Sequence, residues 1–130
     1  MPPKDPVNAL LSLSYVIASS QVKHEIIISG LDTSLGFLHA LHSGRESFVW
    51  DVLEPIRPII DKFVLSLLNN PLETSDFVTN DKDGCLLNKN GRKLYFELWQ
   101  KWQNEIEEET NFGDITKKII KKISSFFPNN

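Results

Sequence analysis

The stretch "EPIRPIIDKFVLSLL", Glu54 to Leu68, carries the strongest periodicity in the chain. Ile56, Ile59, Ile60, Phe63, Val64, Leu67 and Leu68 recur at the three- and four-residue intervals of a single helical face. Pro55 and Pro58 stand at its start. Proline cannot donate the helical hydrogen bond and disfavours helical geometry in the residue before it. The chain is therefore predicted to break or bend between Glu54 and Pro58, after a short helix that carries Asp51 and that Ser47 is placed to cap.

Upstream, Asp5-Pro6 reads as a helix start, with aspartate as N-cap and proline at the first helical position. No breaker then appears until Gly30, which suits a C-terminal cap. The first half of this segment is apolar or small on nearly every face, which predicts a central, buried helix. Asp32 is placed to cap a second, short helix over "TSLGFLHAL", and the polar turn "HSGRES" ends it.

Downstream, short apolar pieces flank Asp83-Gly84, a small hairpin signal. Helical pattern resumes near Gly91 through "RKLYFELWQKWQNEIEEE", breaks around Asn111–Gly113, and ends in "DITKKIIKKISSFF". The expected fold is all-α, a helical bundle with one minor β-hairpin. Residues 1–110 form the domain, and 111–130 a basic amphipathic tail helix.

A chain of 130 residues can bury one real core but not two. No apolar run approaches the ~20 residues that span a bilayer, so no membrane role is expected. The N-terminus lacks the basic-then-apolar pattern of a secretion signal. Cys85 is the single cysteine, which excludes an intrachain disulfide and suits a cytoplasmic protein. The net charge of −3 does not advertise nucleic-acid binding, but it conceals an uneven distribution. Glu105, Glu107, Glu108 and Glu109 form an acidic cluster, and Lys117, Lys118, Lys121 and Lys122 a basic one just behind.

Chemistry concentrates between Gly36 and Pro55. His39 closes an apolar run, and Asp51 and Glu54 follow in a segment otherwise built for a core. A buried carboxylate is costly unless something pairs with it. Three residues apart, the two acids share one side of a helical turn, and His39 reaches them if the polar turn folds back. One imidazole with two carboxylates is a hard donor set suited to Mg²⁺ or Mn²⁺. The alternative is that Asp51 and Glu54 pair with Arg45 and Arg57 on a solvated face, with His39 a hydrogen-bonded core residue. Spacing alone leaves both open.

Arg45, Arg57, Lys4, Arg92 and Lys93 are of the type that contacts phosphates, or are plain solvated charges. His42, three residues after His39, and His24 read as surface residues. Trp99 and Trp102, three apart behind Tyr95 and Phe96, read as core rather than as a base-stacking platform. In the tail, Ile115, Ile119, Ile123 and Phe126 form a stripe opposite the lysines. Such a helix can lie on a membrane or on nucleic acid, but docking on the domain is expected.

Three motifs, "PPKDPVNALLSLSY", "GLDTSLGFLHALHSGRESFVWDVLEPIRPIIDKFV" and "LLNKNGRKLYFE", resemble in order and spacing the C-terminal helical domain of the CRISPR-associated spacer-acquisition integrase, the Cas-one family. The match runs from Pro2 to about Trp102. The resemblance implies a divalent metal held by His39 and Glu54, with Asp51 as the companion acid. It implies DNA as substrate, nicked and joined when fragments enter the CRISPR array of a prokaryotic cell. It also implies a homodimer or higher oligomer, bridged by a second small CRISPR adaptation protein.

In the family a further glutamate ligand and a β-rich domain lie upstream of the first motif, and neither has a counterpart after Met1. The chain is therefore expected to behave as a metal-dependent DNA endonuclease/integrase domain that is inactive or impaired alone. A non-catalytic DNA-binding or dimerisation module is the alternative.

Overall fold

The computed structural model describes residues 3–29, 44–68, 70–104, 106 and 111–125, with the backbone alone for 44–47. Among these residues five helices and one hairpin follow in the order α1 (Pro6–Ile28), α2 (Gly44–Leu53), α3 (Arg57–Leu67), β1 (Phe77–Asn80), β2 (Gly84–Leu87), α4 (Lys89–Asn104) and α5 (Phe112–Ser124). Single turns of tighter 3₁₀ helix, Glu54–Ile56 and Thr74–Asp76, lie before α3 and before β1. The all-α expectation with one minor hairpin holds.

Helix α1 starts as its sequence requires. Asp5 is extended, and its carboxylate accepts from the Asn8 N–H at 2.9 Å, with Pro6 at the first helical position. It is central, because α2, α3, α5 and β2 all pack on it. It is not buried all round. Leu10, Ser14, Ala18, Val22 and Ile26, spaced by four, form the buried stripe, while Val16 is 66% exposed and Ile28 60%. The four elements that pack on it cover one stripe, so Val16, Ile27 and Ile28 lie outside it although they are apolar.

The break at the prolines is real. Glu54–Ile56 is a 3₁₀ turn between α2 and α3, so the path from Ser47 to Asn69 is not one regular helix. Beyond it Ile56, Ile60, Phe63, Val64 and Leu67 are buried, the stripe read from the sequence. Two starts differ from expectation. Helix α2 begins at Gly44 rather than at Ser47, since nothing in "GRE" interrupts a helix. Helix α4 begins at Lys89 rather than near Gly91, because the Asn88 side chain accepts from the Gly91 N–H at 2.8 Å and caps the first turn. The short helix expected under Asp32 lies outside the described residues.

The hairpin pairs Phe77 with Leu87 and Asn80 with Gly84, and Gly84 takes the positive φ of 73° that its turn demands. It is tied to the bundle from both sides. The Cys85 N–H donates to the Pro3 carbonyl at 2.8 Å, and the Arg92 guanidinium to the Leu87 carbonyl at 2.9 Å.

Aromatic rings close the core. Phe63 of α3 meets Trp99 edge-on at 5.6 Å and stacks on Trp102 at 4.7 Å, both from α4, and both indoles also face Phe112 of α5. Such pairs contribute about 0.5–1.5 kcal/mol each beyond the area they bury. The two tryptophans are thus core residues. Across the middle, Ser14 of α1 and Tyr95 of α4 share a buried hydrogen bond of 2.7 Å. Helix α5 is capped by Asn111, buries Phe112, Thr116 and Ile120, and lays Ile115, Ile119 and Ile123 partly against the cluster. Its buried line therefore runs beside the expected stripe, because Phe112 reaches the indoles.

Two outcomes follow for stability. A Cβ on Gly91 would stand 2.6 Å from the Asp76 carbonyl oxygen and 2.9 Å from Leu87 Cδ2. Gly91→Ala should therefore destabilise by about 1–3 kcal/mol in urea unfolding, although alanine favours a helix over glycine by about 1 kcal/mol. Equal stability would mean that the Thr74–Asp76 turn yields freely.

Burial pushes the Tyr95 phenol up to about 12, against which the Ser14 hydrogen bond acts only weakly. The folded state then holds the phenolic proton more tightly than the unfolded chain, where the group titrates near ~10. The stability this contributes is whole below pH ~10 and is lost as pH rises toward 12. Tyr95→Phe should flatten that alkaline limb while costing about 1 kcal/mol at neutral pH, because the Ser14 hydroxyl loses its partner. Unfolding midpoints from pH 8 to pH 11 for both proteins check the slope.

Candidate functional site

The step from α2 to α3 decides what Asp51 and Glu54 can do. Val52, Leu53 and Ile56 are fully buried, which fixes the rotation of the segment and turns Asp51 and Glu54 to the opposite side. Both acids are exposed. The segment is thus an amphipathic edge of the core, and the desolvation cost expected for acids among apolar residues does not arise. Their exposure removes burial as a reason for a cation, while leaving them accessible to one.

Glu54 is not free of partners. The Arg57 guanidinium donates to its Oε1 at 3.0 Å, an i,i+3 pair across the 3₁₀ turn with 45% and 60% of the two side chains exposed. Exposed pairs of this kind are worth roughly 0–1 kcal/mol. Among the described residues no hydrogen bond takes up Glu54 Oε2. Arg57 also lies over the Tyr15 ring, 5.1 Å from its centroid, and the Tyr15 hydroxyl donates to Asp61 on α3. Burial, then the Asp61 carboxylate, raises the Tyr15 phenol above its usual range. A groove of about 530 Å³ runs here between α1 and α3, with Asn8, Ser12, Tyr15, Arg57 and Asp61 supplying its polar wall.

The other candidates separate. His39 and His42 lie outside the described residues, as does the side chain of Arg45. Lys4 is exposed ahead of α1, next to the Pro3 that is bonded to the hairpin. Arg92 is committed to the Leu87 carbonyl; Lys93 and His24 are exposed. Of the expected set, then, the structure pairs Glu54 with Arg57 and leaves Asp51 exposed three residues before Glu54. No group of three or more histidine, cysteine, aspartate or glutamate side chains with metal-binding geometry occurs among the described residues.

Sequence reasoning missed Tyr15 and Asp61. Half of the signal was present, since Arg57 and Asp61 stand four apart on one helix. The other half, Tyr15 crossing from α1, needs the fold.

A family model described as CRISPR associated protein Cas1 matches residues 1–101. Relatives include CRISPR-associated endonuclease Cas1 1 of Thermodesulfovibrio yellowstonii, 41% identical over 78% of this chain and 32% of that protein. A CRISPR-associated exonuclease Cas4/endonuclease Cas1 fusion of Geobacter sulfurreducens is 42% identical over 96% of this chain and 21% of the fusion. Among solved structures, a casposase bound to integration product superposes with a TM-score of 0.74 at 26% identity, covering all of this chain and 38% of that one. The chain spans about a third of the length of the single-function Cas1 relatives it matches. No helix among the described residues is long and apolar enough to cross a membrane. A family match over 101 of 130 residues carries its own conclusion: the chain belongs to the Cas1 family of CRISPR associated proteins.

Proposed function

We propose that this chain is the helical, cation-binding part of a DNA endonuclease/integrase of CRISPR adaptation, and that Asp51 and Glu54, with His39, hold a divalent cation. The observation that carries this proposal is the outward-facing carboxylate pair at the proline turn of a Cas1-family chain. Carboxylate oxygens suit Mg²⁺ or Mn²⁺, and the unpaired Oε2 of Glu54 is open to a cation from solvent. Bound there, such a cation would supply positive charge for the oxygens of a DNA phosphate and help align the attacking group. The casposase neighbour, caught on an integration product, supports DNA as the substrate. Arg57, held by Glu54 and Tyr15, is better suited to fixing the Glu54 carboxylate than to reaching a phosphate.

Association belongs to the same proposal. Trp50 is 47% exposed, and Leu65 and Val16 are 60% and 66% exposed, apolar surface of the kind that partners cover. A homodimer joined to a second small adaptation protein fits it, and the Cas4/Cas1 fusion supports a nuclease module nearby. Light scattering at high concentration should give a dimer or larger species, and a clean monomer would count against this.

One observation favours a second reading. The Glu54–Arg57 pair is the solvated arrangement expected if the acids hold no cation and the chain serves as a DNA-binding or dimerisation module. Calorimetric titration separates the two. Mn²⁺ should bind weakly but more tightly than Mg²⁺, since it accepts imidazole nitrogen more readily. His39→Ala and Glu54→Ala should weaken it at least about tenfold, within the 10–100-fold range for disturbed metal sites. Arg57→Gln should tighten it, because a competing positive charge is removed from Oε1. With so few ligands, DNA cleavage by this chain alone should be slight or absent. No Mn²⁺ binding at millimolar concentration would leave the second reading standing.

A further inference from the structure

Helix α5 lies beyond the matched family region, and its two sides are of opposite character. At roughly 100° per residue, Lys117, Lys118, Lys121 and Lys122 occupy an arc of about 140°, and Phe112, Ile115, Thr116, Ile119, Ile120 and Ile123 the arc across from it. The second arc is packed on the core; all four lysines are exposed. Asp114 is the acid on the lysine side, and no lysine of α5 forms an ion pair among the described residues.

Lys121 and Lys122, in the last turn, complement the negative end of the helix dipole. Lys117 and Lys118, in the middle, have no such role. Nor do the lysines hold the helix in place, which the Asn111 cap and the buried aromatic and aliphatic side chains already do. Helix α5 also packs directly on α2 and on the Glu54–Ile56 turn, the two elements that present Asp51 and Glu54.

We infer that the lysine face of α5 is a sequence-independent contact for the phosphate backbone of duplex DNA, set beside the carboxylate edge. This inference rests on the proposal that the chain acts on DNA. Its occupant is a polyanion because the face is cationic, and unpaired among the described residues, in a chain of net charge −3. An anionic membrane would fit a basic amphipathic helix equally well if the apolar side were free to insert. In α5 that side is spent on Trp99, Trp102 and the rest of the core, so charge alone remains. Lysine is a point charge without fixed geometry, which suits backbone contact and not base readout.

The test is fluorescence anisotropy of the 130-residue chain with a fluorescein-labelled mixed-sequence duplex of about 30 base pairs across a salt series. Each phosphate neutralised contributes about 0.9 to the slope of log affinity against log salt. Replacing Lys117, Lys118, Lys121 and Lys122 by glutamine should make the slope shallower by about two to four and weaken low-salt binding at least tenfold. The helical circular dichroism and the Mn²⁺ titration should be unchanged. If the fourfold variant folds poorly, the pairs Lys117→Gln/Lys118→Gln and Lys121→Gln/Lys122→Gln should each remove about half of the effect.

A variant that binds duplex with the parent's affinity and slope overturns the inference while DNA action stands. That is also the result expected if Glu105, Glu107, Glu108 and Glu109 neutralise the lysines. A parent chain that binds no duplex at 50 mM salt removes both. Equal or stronger co-sedimentation with phosphatidylserine vesicles, lost in the same variant, reassigns the face to a membrane.

Discussion

Two missing amide hydrogens shape this molecule. Pro55 and Pro58 cannot donate within a helix, so the chain tightens into a 3₁₀ turn where α2 and α3 would otherwise be continuous. The turn lets α2 and α3 both press apolar faces onto α1, with Val52, Leu53, Ile56 and Ile60 fully buried around the junction. An unbroken helix of that length would carry its ends away from α1, and Phe63 would lose its place among Trp99, Trp102 and Tyr95. The same geometry turns the polar residues of the junction outward. Asp51, Glu54 and Arg57 are exposed because their neighbours are fixed inside, so the site is a by-product of the packing that forms the core.

The carboxylate edge is supported by more than its own sequence. Glu54 bonds to Arg57, Arg57 lies over Tyr15, and Tyr15 bonds to Asp61 one turn further along α3. Each exposed link is weak, at roughly 1 kcal/mol or less. Their value is positional. Tyr15 belongs to the rigid central helix, so it refers the orientation of a surface arginine, and through it a surface carboxylate, back to the core.

The sequence made the secondary structure legible where one residue type dictates one geometry. Asp5-Pro6 marked the start of α1, the prolines marked the break, Asp83-Gly84 marked the hairpin, and the isoleucine, phenylalanine and leucine spacing marked the buried face of α3. It misplaced starts set by weaker signals, as at Gly44, where no residue forbids an earlier turn. It left the surroundings of Asp51 and Glu54 open, between a cation among apolar residues and arginine pairs on a solvated face, and the Glu54–Arg57 pair is of the second kind. Apolar neighbours in sequence suggested burial, but in so short a helix one side can be wholly apolar and the other wholly polar. Tyr15 and Asp61 stayed hidden because their contact spans two helices, and no spacing along one segment reports it.

Placement of charge follows from the same division of labour. Helix α5 needs an apolar side to cover Trp99 and Trp102, and once Phe112, Thr116 and Ile120 supply it, the remaining positions are free of any packing demand. Solubility alone would be served by interspersed charges of both signs. The helix instead carries four lysines and one aspartate, and it rests on the turn that bears Glu54. An acidic edge repels a polyanion unless cations flank it. Arg57 is already bound to Glu54, and α5, which carries the four lysines, packs on the two elements that bear the acids. A helix that seals the core on one side thus leaves a predominantly cationic face on the other.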